Sequence, residues 1–333
     1  MKKSAKTEIL GSILLFITAL IWGFAFVAQS KGMESVGPCT FNGLRSFMAA
    51  FALAPLLIIN RRKVLCVDAP GKDEAGNGPD TEEASGTKPR ARKEDLKVLL
   101  TGLVAIGMVF FLATTSQQIG IGLTDSVGKA GFITALYIVL VPLAGIFLKK
   151  PPKWIVFLCV AAATFGLFLL CIPKGSRFTL RMGDLLLIAC AILFTAHILL
   201  INYYSARING LLIAVVQFLF VGVFCGIVMI VYEKPAWEDI VKALPTMVYA
   251  GLLSSAVGYT FQILGQKYVE PTKASLIMCL ESVFSVLGGW LLLHQELTLR
   301  EGIGCVIMFV AILVCQIFGQ KPGTLSGKDH GSQ

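Results

Sequence analysis

Ten apolar runs, each about as long as a helix that crosses a bilayer, constrain this sequence more than any other feature. They cover residues 9–29, 38–59, 96–117, 126–148, 154–171, 183–204, 210–232, 246–266, 272–293 and 302–318. A transmembrane helix needs about 20 apolar residues, whereas the strands of a membrane barrel would alternate polar and apolar side chains. Apolar residues make up 56% of the chain and charged residues 15%, against about 45–50% and about 25% in a soluble domain. The sequence therefore predicts an all-α integral membrane protein with ten transmembrane helices.

The basic residues predict how the chain is oriented in the membrane. The formal charge is +9, but the Lys and Arg residues lie mainly between apolar runs, where they orient helices, so we expect no nucleic acid among the partners. A cytoplasmic amino terminus places most of them on the cytoplasmic side, which predicts that both termini are cytoplasmic. The first run is longer than the apolar core of a signal peptide, about 7–15 residues, and is interpreted as the first span. A multi-pass protein of the bacterial inner (plasma) membrane is the simplest prediction.

Two segments depart from the apolar pattern. Residues 61–97 are rich in Gly, Pro and charged residues and have too few large apolar side chains to order themselves, so we expect a flexible cytoplasmic loop. Residues 321–333 are expected to be a disordered cytoplasmic tail. This division predicts a first repeat in residues 1–174 and a second in residues 175–320. The cysteines lie mostly within apolar runs without a paired spacing, so we expect no metal site.

The two halves of the chain resemble each other. A shift of 172 residues aligns Gly11 with Gly183, and beyond the loop a shift of 144 residues aligns polar residues as well as apolar ones. The polar matches are Gln118 with Gln262 and Lys129 with Lys273. Five spans per half is an odd number, so the halves must cross the membrane in opposite senses. Two inverted five-helix repeats are typical of transporters, which bind their substrate near the bilayer midplane between the repeats.

Several motifs resemble a known transporter family. The first span contains Trp22-Gly23-Phe24-Ala25-Phe26 and the second opens with Phe41-Asn42-Gly43-Leu44-Arg45. With the stretches 124–134 and 271–296, they resemble the EamA type of the drug/metabolite transporter superfamily. The resemblance implies ten spans in two repeats, a central cavity, and transport of amino acids, nucleosides or other metabolites. Many members have Pro after the acid of the ninth span, whereas Ser282 follows Glu281 here, so a proline kink is not carried over.

Glu281 is the strongest candidate for a functional residue. It lies nine residues beyond Thr272, which at about 1.5 Å per residue places it about 13 Å into a hydrocarbon core of about 30 Å. An acid at that depth is costly when it faces lipid, so we expect it to face a cavity or a partner. Proton coupling or binding of a substrate amine is the functional hypothesis. The alternative is that Glu281 only bonds a neighbouring helix and fixes the packing.

Other polar and aromatic residues complete the predicted substrate or coupling site. They are Arg45, Tyr137, Gln118, Gln262, Gln217, Trp22, Tyr259, His197 and Lys129. At the shift of 144 residues, Tyr137 takes the place of Glu281, so the site is expected to be chemically asymmetric. Each residue has a structural alternative: Arg45 and Lys129 extend to the interface, or Lys129 pairs with Asp125, while the others bridge or pack helices.

Three classes of function are compatible with these features. The leading hypothesis is a secondary transporter or exporter of a small metabolite that works by alternating access. Because the sequence has no Walker, GxGxxG, HExxH or GxSxG pattern in a supporting context, we expect no cofactor, no enzymatic activity and transport driven by a gradient. A coupling proton and a homodimer are left open as further partners beside the substrate and the lipid bilayer. The alternatives are an intramembrane lipid-modifying enzyme, for which His197 with Glu281 is the candidate pair, and a non-transporting assembly protein.

Overall fold

The computed structural model describes residues 5–59, 93–123, 127–149, 152–172, 175, 181–293 and 298–318, and these residues are almost entirely helical. The first half comprises α1 (Ala5–Gly32), α2 (Pro38–Ile59), α3 (Lys93–Leu123), α4 (Val127–Thr134), α5 (Tyr137–Phe147) and α6 (Trp154–Cys171). The second half comprises α7 (Met182–Tyr204), α8 (Gly210–Val228), α9 (Trp237–Val248), α10 (Thr260–Tyr268), α11 (Pro271–Met278), α12 (Leu280–Leu293) and α13 (Leu299–Phe318). A π-helical segment, Met229–Glu233, extends α8, and another, Tyr249–Tyr259, joins α9 to α10.

These elements form the ten predicted spans. Within the described part of the chain, nine helical segments are long and apolar enough to cross a bilayer. The tenth, the ninth span in chain order, is divided into α11 and α12 at Cys279. Residues 93–97, which the sequence predicts to belong to the loop, instead form the beginning of α3. The rest of the predicted loop and the predicted tail lie outside the described residues.

The fourth and ninth spans are interrupted at equivalent positions. In the fourth, α4 ends at Thr134 and the Ile138 amide donates to the carbonyl oxygen of Ala135 at 3.0 Å. In the ninth, the Ser282 amide donates to the carbonyl oxygen of Cys279 at 3.2 Å. Both are bonds to the third preceding residue, which tighten the helix locally. The shift of 144 residues relates one bond to the other, so each half contains the same tight turn.

The packing of the spans has the twofold pattern expected of two repeats. The first span, α1, packs against the eighth (α9 and α10) and the ninth (α11 and α12). Its counterpart in the second half, α7, packs in the same way against the third (α3) and the fourth (α4 and α5). The second and seventh spans, α2 and α8, pack together, as do the fifth and tenth, α6 and α13. The fold class is therefore confirmed, and the halves interleave, because their most extensive contacts join spans from opposite halves.

Glycines bring several of these helices close together. A Cβ built at Gly23 of α1 would lie 2.4 Å from the Cβ of Phe284 in α12, and one at Gly166 of α6 would lie 2.8 Å from the carbonyl oxygen of Gly304 in α13. Small residues at helix interfaces are typical of membrane proteins, in which close van der Waals contact replaces the hydrophobic effect between helices. Large apolar side chains such as Phe147 and Ile59 point outward and are more than three-quarters exposed, as lipid-facing residues would be.

Candidate functional site

A cavity lies between the two halves of the fold. Both repeats contribute to its wall, through the first, second, third, fourth, sixth, eighth and ninth spans. The lining residues are Trp22, Phe26, Gln29, Arg45, Gln117, Thr134, Tyr137, Phe194, Ile198, Ser254, Tyr259, Gln262, Met278 and Glu281. A cavity that combines apolar walls with a few polar groups is typical of a binding site for a small molecule.

The acidic part of the cavity is formed by Glu281 and Tyr137. The Tyr137 hydroxyl donates a hydrogen bond to Oε1 of Glu281 at 3.2 Å. Both residues are buried, since Glu281 is 7% exposed and Tyr137 is 4% exposed. Each residue lies within the tight turn of its span, two positions after the residue whose carbonyl oxygen accepts the bond, so the interruptions of the fourth and ninth spans bring an acid and a phenol together. The two positions that the repeat alignment matched therefore meet in one cavity.

The basic part of the cavity is Arg45 of α2. Its Nε donates to Oδ1 of Asn42 at 2.8 Å, and Nδ2 of Asn42 donates to the Thr114 carbonyl oxygen at 3.0 Å. The guanidinium carbon lies 5.8 Å from the centre of the Phe41 ring. Arg45 is only 4% exposed, and no carboxylate of the described chain lies within ion-pair distance of it. This buried cation is thus held by neutral groups alone.

Aromatic residues form a wall beside these polar groups. Nε1 of Trp22 donates to the carbonyl oxygen of Ser254 at 3.1 Å, which joins α1 to the π-helical segment of the eighth span. The Trp22 and Tyr259 rings lie 4.5 Å apart between their centroids. Phe110 also packs edge-on against Tyr259, with 4.7 Å between the ring centroids. The aromatic wall therefore has little freedom to move unless the helices themselves move.

Some of the predicted site residues lie outside the cavity lining. His197 and Gln217 are fully buried and contact each other, with 3.1 Å between Nε2 and Oε1, so they bridge α7 and α8. Gln118 is also fully buried and is not among the lining residues. The side chain of Lys129 and the whole of Asp125 lie outside the described residues. Predicted residues that do line the cavity are Glu281, Arg45, Tyr137, Gln262, Trp22 and Tyr259.

Other lining residues were missed by the sequence analysis. They are Phe26, Gln29, Gln117, Thr134, Phe194, Ile198, Ser254 and Met278. Gln117 precedes Gln118, the residue that the repeat aligns with Gln262. One residue turns a helix by about 100°, so adjacent glutamines face different neighbours. Two other lining residues, Thr134 and Met278, could have been found from the repeat, because the shift of 144 residues aligns them with each other.

The comparison with known proteins identifies the family. The model of the EamA-like transporter family matches residues 9–172 and 181–316. This chain belongs to the EamA-like transporter family. Its relatives include an "Uncharacterized transporter" of Archaeoglobus fulgidus, 24% identical over 91% of this chain and 84% of that protein, and "Uncharacterized transporter YoaV" of Bacillus subtilis, 23% identical over 90% and 92%. A solved crystal structure with 14% identity has the same fold, with a TM-score of 0.70 over 93% of this chain and 97% of that one.

Membership in the family and the ten-span fold establish the general class of the protein. It is an integral membrane protein and a membrane transporter, as the names of its relatives also indicate. The family and the relatives name neither a substrate nor a driving force.

Proposed function

We propose that the protein is a secondary transporter, acting as an importer or an exporter, that moves a small metabolite across the plasma membrane by alternating access. An amino acid, a nucleoside or a drug-like compound would bind in the cavity between the repeats, residues 1–174 and 175–320, with both termini in the cytoplasm. The observation that carries the proposal is the position of one buried acid and one buried base in a cavity shared by two inverted repeats. In transporters of this architecture, the repeats or mixed bundles of their helices rock around such a site.

Glu281 is proposed as the group that couples transport to a proton gradient. It is the only acidic residue among those of the described chain that line the cavity. An ionisable group within the membrane is costly and is retained mainly at ion or substrate pathways. The Tyr137 hydroxyl, at 3.2 Å, supplies a hydrogen bond that holds the carboxyl group in the cavity whether or not it carries a proton. The carboxyl group can therefore take up a proton on one side of the membrane and release it on the other.

The alternative of an intramembrane enzyme receives less support. It would require His197 and Glu281 to act on one substrate, because these two were the candidate catalytic pair. Glu281 lines the cavity, whereas His197 is fully buried beside Gln217 and is not a lining residue. A transporter needs only the cavity, its polar groups and two conformations. We therefore propose that the protein is not an enzyme.

Transport by purified protein in liposomes tests the proposal. Uptake and efflux of amino acids, nucleosides and cationic drugs would be measured with and without an imposed proton gradient. We expect the gradient to drive at least one compound, and Glu281→Gln to lower this gradient-driven rate by about tenfold or more, because the amide cannot exchange a proton. Glu238→Gln is the matched control, since Glu238 is exposed at the start of α9 and should leave the rate unchanged.

Two results would contradict the proposal. If no compound of the panel crosses the liposome membrane in a protein-dependent manner, the transport function itself is wrong. If Glu281→Gln responds to the gradient as strongly as the unmodified protein does, Glu281 is not the coupling group, and the alternative that it only fixes helix packing gains support.

A further inference from the structure

We infer that the substrate is a small carboxylic acid with an apolar or aromatic body, whose carboxylate is bound by the guanidinium group of Arg45. This inference rests on the proposed function and specifies the chemical class that the cavity accepts.

Arg45 is oriented in the manner of a binding residue. Its Nε is occupied by Asn42 at 2.8 Å, and Asn42 is itself fixed by the carbonyl oxygen of Thr114 at 3.0 Å. No described side chain accepts a hydrogen bond from either of its Nη groups. These two groups form one edge of the planar guanidinium, and a carboxylate matches such an edge with parallel hydrogen bonds. The guanidinium group is therefore held through its Nε, and its two Nη groups remain able to donate hydrogen bonds to an anion.

The charges of the lining favour a monoanion. Arg45 is the only Lys or Arg among the described residues that line the cavity, and Glu281 is the only acid. A buried charge in the membrane is tolerated when it is paired. A single carboxylate would pair the single guanidinium, whereas a phosphate dianion would bring a second negative charge that no lining cation balances.

Unpaired polar atoms in the same cavity point to a bound polar group. Gln29 and Gln262 both line it and are buried, yet the Oε1 atom of each has no hydrogen-bond partner in the described structure. The hydroxyl oxygen of Thr134 is also without one. Buried polar groups are nearly always satisfied, by protein, by water or by ligand. The Thr134 hydroxyl can donate to the carboxylate of a substrate, whereas the two glutamine oxygens accept, so water or an N–H or O–H group of the substrate would satisfy them.

The remaining wall is suited to an apolar body. Trp22, Phe26, Phe194 and Tyr259 contribute aromatic faces, and Ile198 and Met278 contribute aliphatic and thioether groups. Aromatic and thioether side chains pack favourably against rings and alkyl groups. A molecule with a carboxylate at one end and a phenyl or branched alkyl group at the other therefore matches both parts of the cavity.

Matched pairs of probes test this inference on the purified full-length protein. The pairs are 3-phenylpropanoate with 3-phenylpropanamide and phenylalanine with phenylalaninamide, which differ only in the carboxylate. Binding would be measured from the thermal shift of the protein in detergent, with each probe added over a range of concentrations. We expect each acid to bind about tenfold or more tightly than its amide. Arg45→Gln should abolish this preference, while Arg207→Gln, a change of an exposed arginine that hydrogen-bonds to the Tyr203 hydroxyl outside the cavity lining, should retain it.

The comparison of acid and amide on the unmodified protein decides the question even where Arg45→Gln does not fold. Equal affinities within both pairs, tighter binding of the amides, or no binding of either acid would each overturn the inference. If a nucleoside or cationic drug is nevertheless transported in liposomes, the proposed function stands and only the carboxylate specificity is wrong. If nothing is transported, the proposed function fails as well.

Discussion

Gly23 of the first span lies so close to the ninth span that there is no room for a side chain at this position. Changing Gly23 to Ala would place a Cβ 2.4 Å from the Cβ of Phe284 and 2.8 Å from the carbonyl oxygen of Glu281, where ordinary contact begins at 3.4 Å. Neither atom can move away by side-chain rotation, because one is a Cβ and the other belongs to the backbone. The first and ninth spans must therefore separate locally by up to about 1 Å. Overpacking of this kind costs about 1–3 kcal/mol.

The assay is unfolding of the purified protein by SDS titration in mild detergent, followed by circular dichroism. The matched control is Gly131→Ala in the fourth span, where a Cβ would meet nothing within 4 Å. We expect the control to be neutral or to stabilise the protein by up to about 1 kcal/mol, because alanine has less backbone entropy to lose on folding. Gly23→Ala should be less stable than Gly131→Ala by about 1–4 kcal/mol. Equal stability of the two variants would refute the close packing of the first and ninth spans.

Two further predictions concern polar contacts. Tyr137→Phe removes the hydrogen bond to Glu281 and should lower the free energy of unfolding by about 0.5–1.5 kcal/mol in the same titration; an unchanged value would mean that the bond contributes nothing. The ion pair between Lys273 and Glu8, 2.7 Å long, has a lysine side chain that is 4% exposed and a glutamate side chain that is 25% exposed. Glu8→Gln leaves the more deeply buried charge, the Lys273 ammonium group, without its partner and should lower the free energy of unfolding by about 3 kcal/mol. Lys273→Met should lower it by less, because the carboxylate that it leaves unpaired is more exposed, and the reverse order would contradict this description of the pair.

The sequence was sufficient to predict the spans and the two repeats, and it aligned Tyr137 with Glu281, but it did not predict that these two side chains contact each other. The spans follow from run length, because the backbone must form helices where no water is present to satisfy it. The contact has a simple geometric reason, because residues equivalent under a twofold axis approach each other when they lie close to it. Arg45 could be found because a charge within an apolar run is conspicuous.

The details of the cavity could not be predicted in the same way. In a soluble helix the apolar stripe marks the buried face, but a transmembrane helix is apolar on the faces that meet lipid as well as on those that meet protein. Nothing in the sequence therefore distinguished Gln117, which lines the cavity, from Gln118, which does not. The interruptions at Ala135 and Cys279 likewise lack a proline or glycine at the turn. The fourth, sixth and ninth spans pack against one another, and only the assembled fold defines this packing.

The interleaving of the two halves bears on how the protein is made. When the first five spans have left the ribosome, the partners of α1, α2, α3 and α6 have not yet been synthesised, because each packs chiefly against a helix of the second half. Insertion of individual helices into the bilayer must then precede their assembly, as separate stages of biosynthesis. An amino-terminal fragment would cross the membrane five times without acquiring a stable tertiary structure, and the two fragments produced together should associate into the complete molecule.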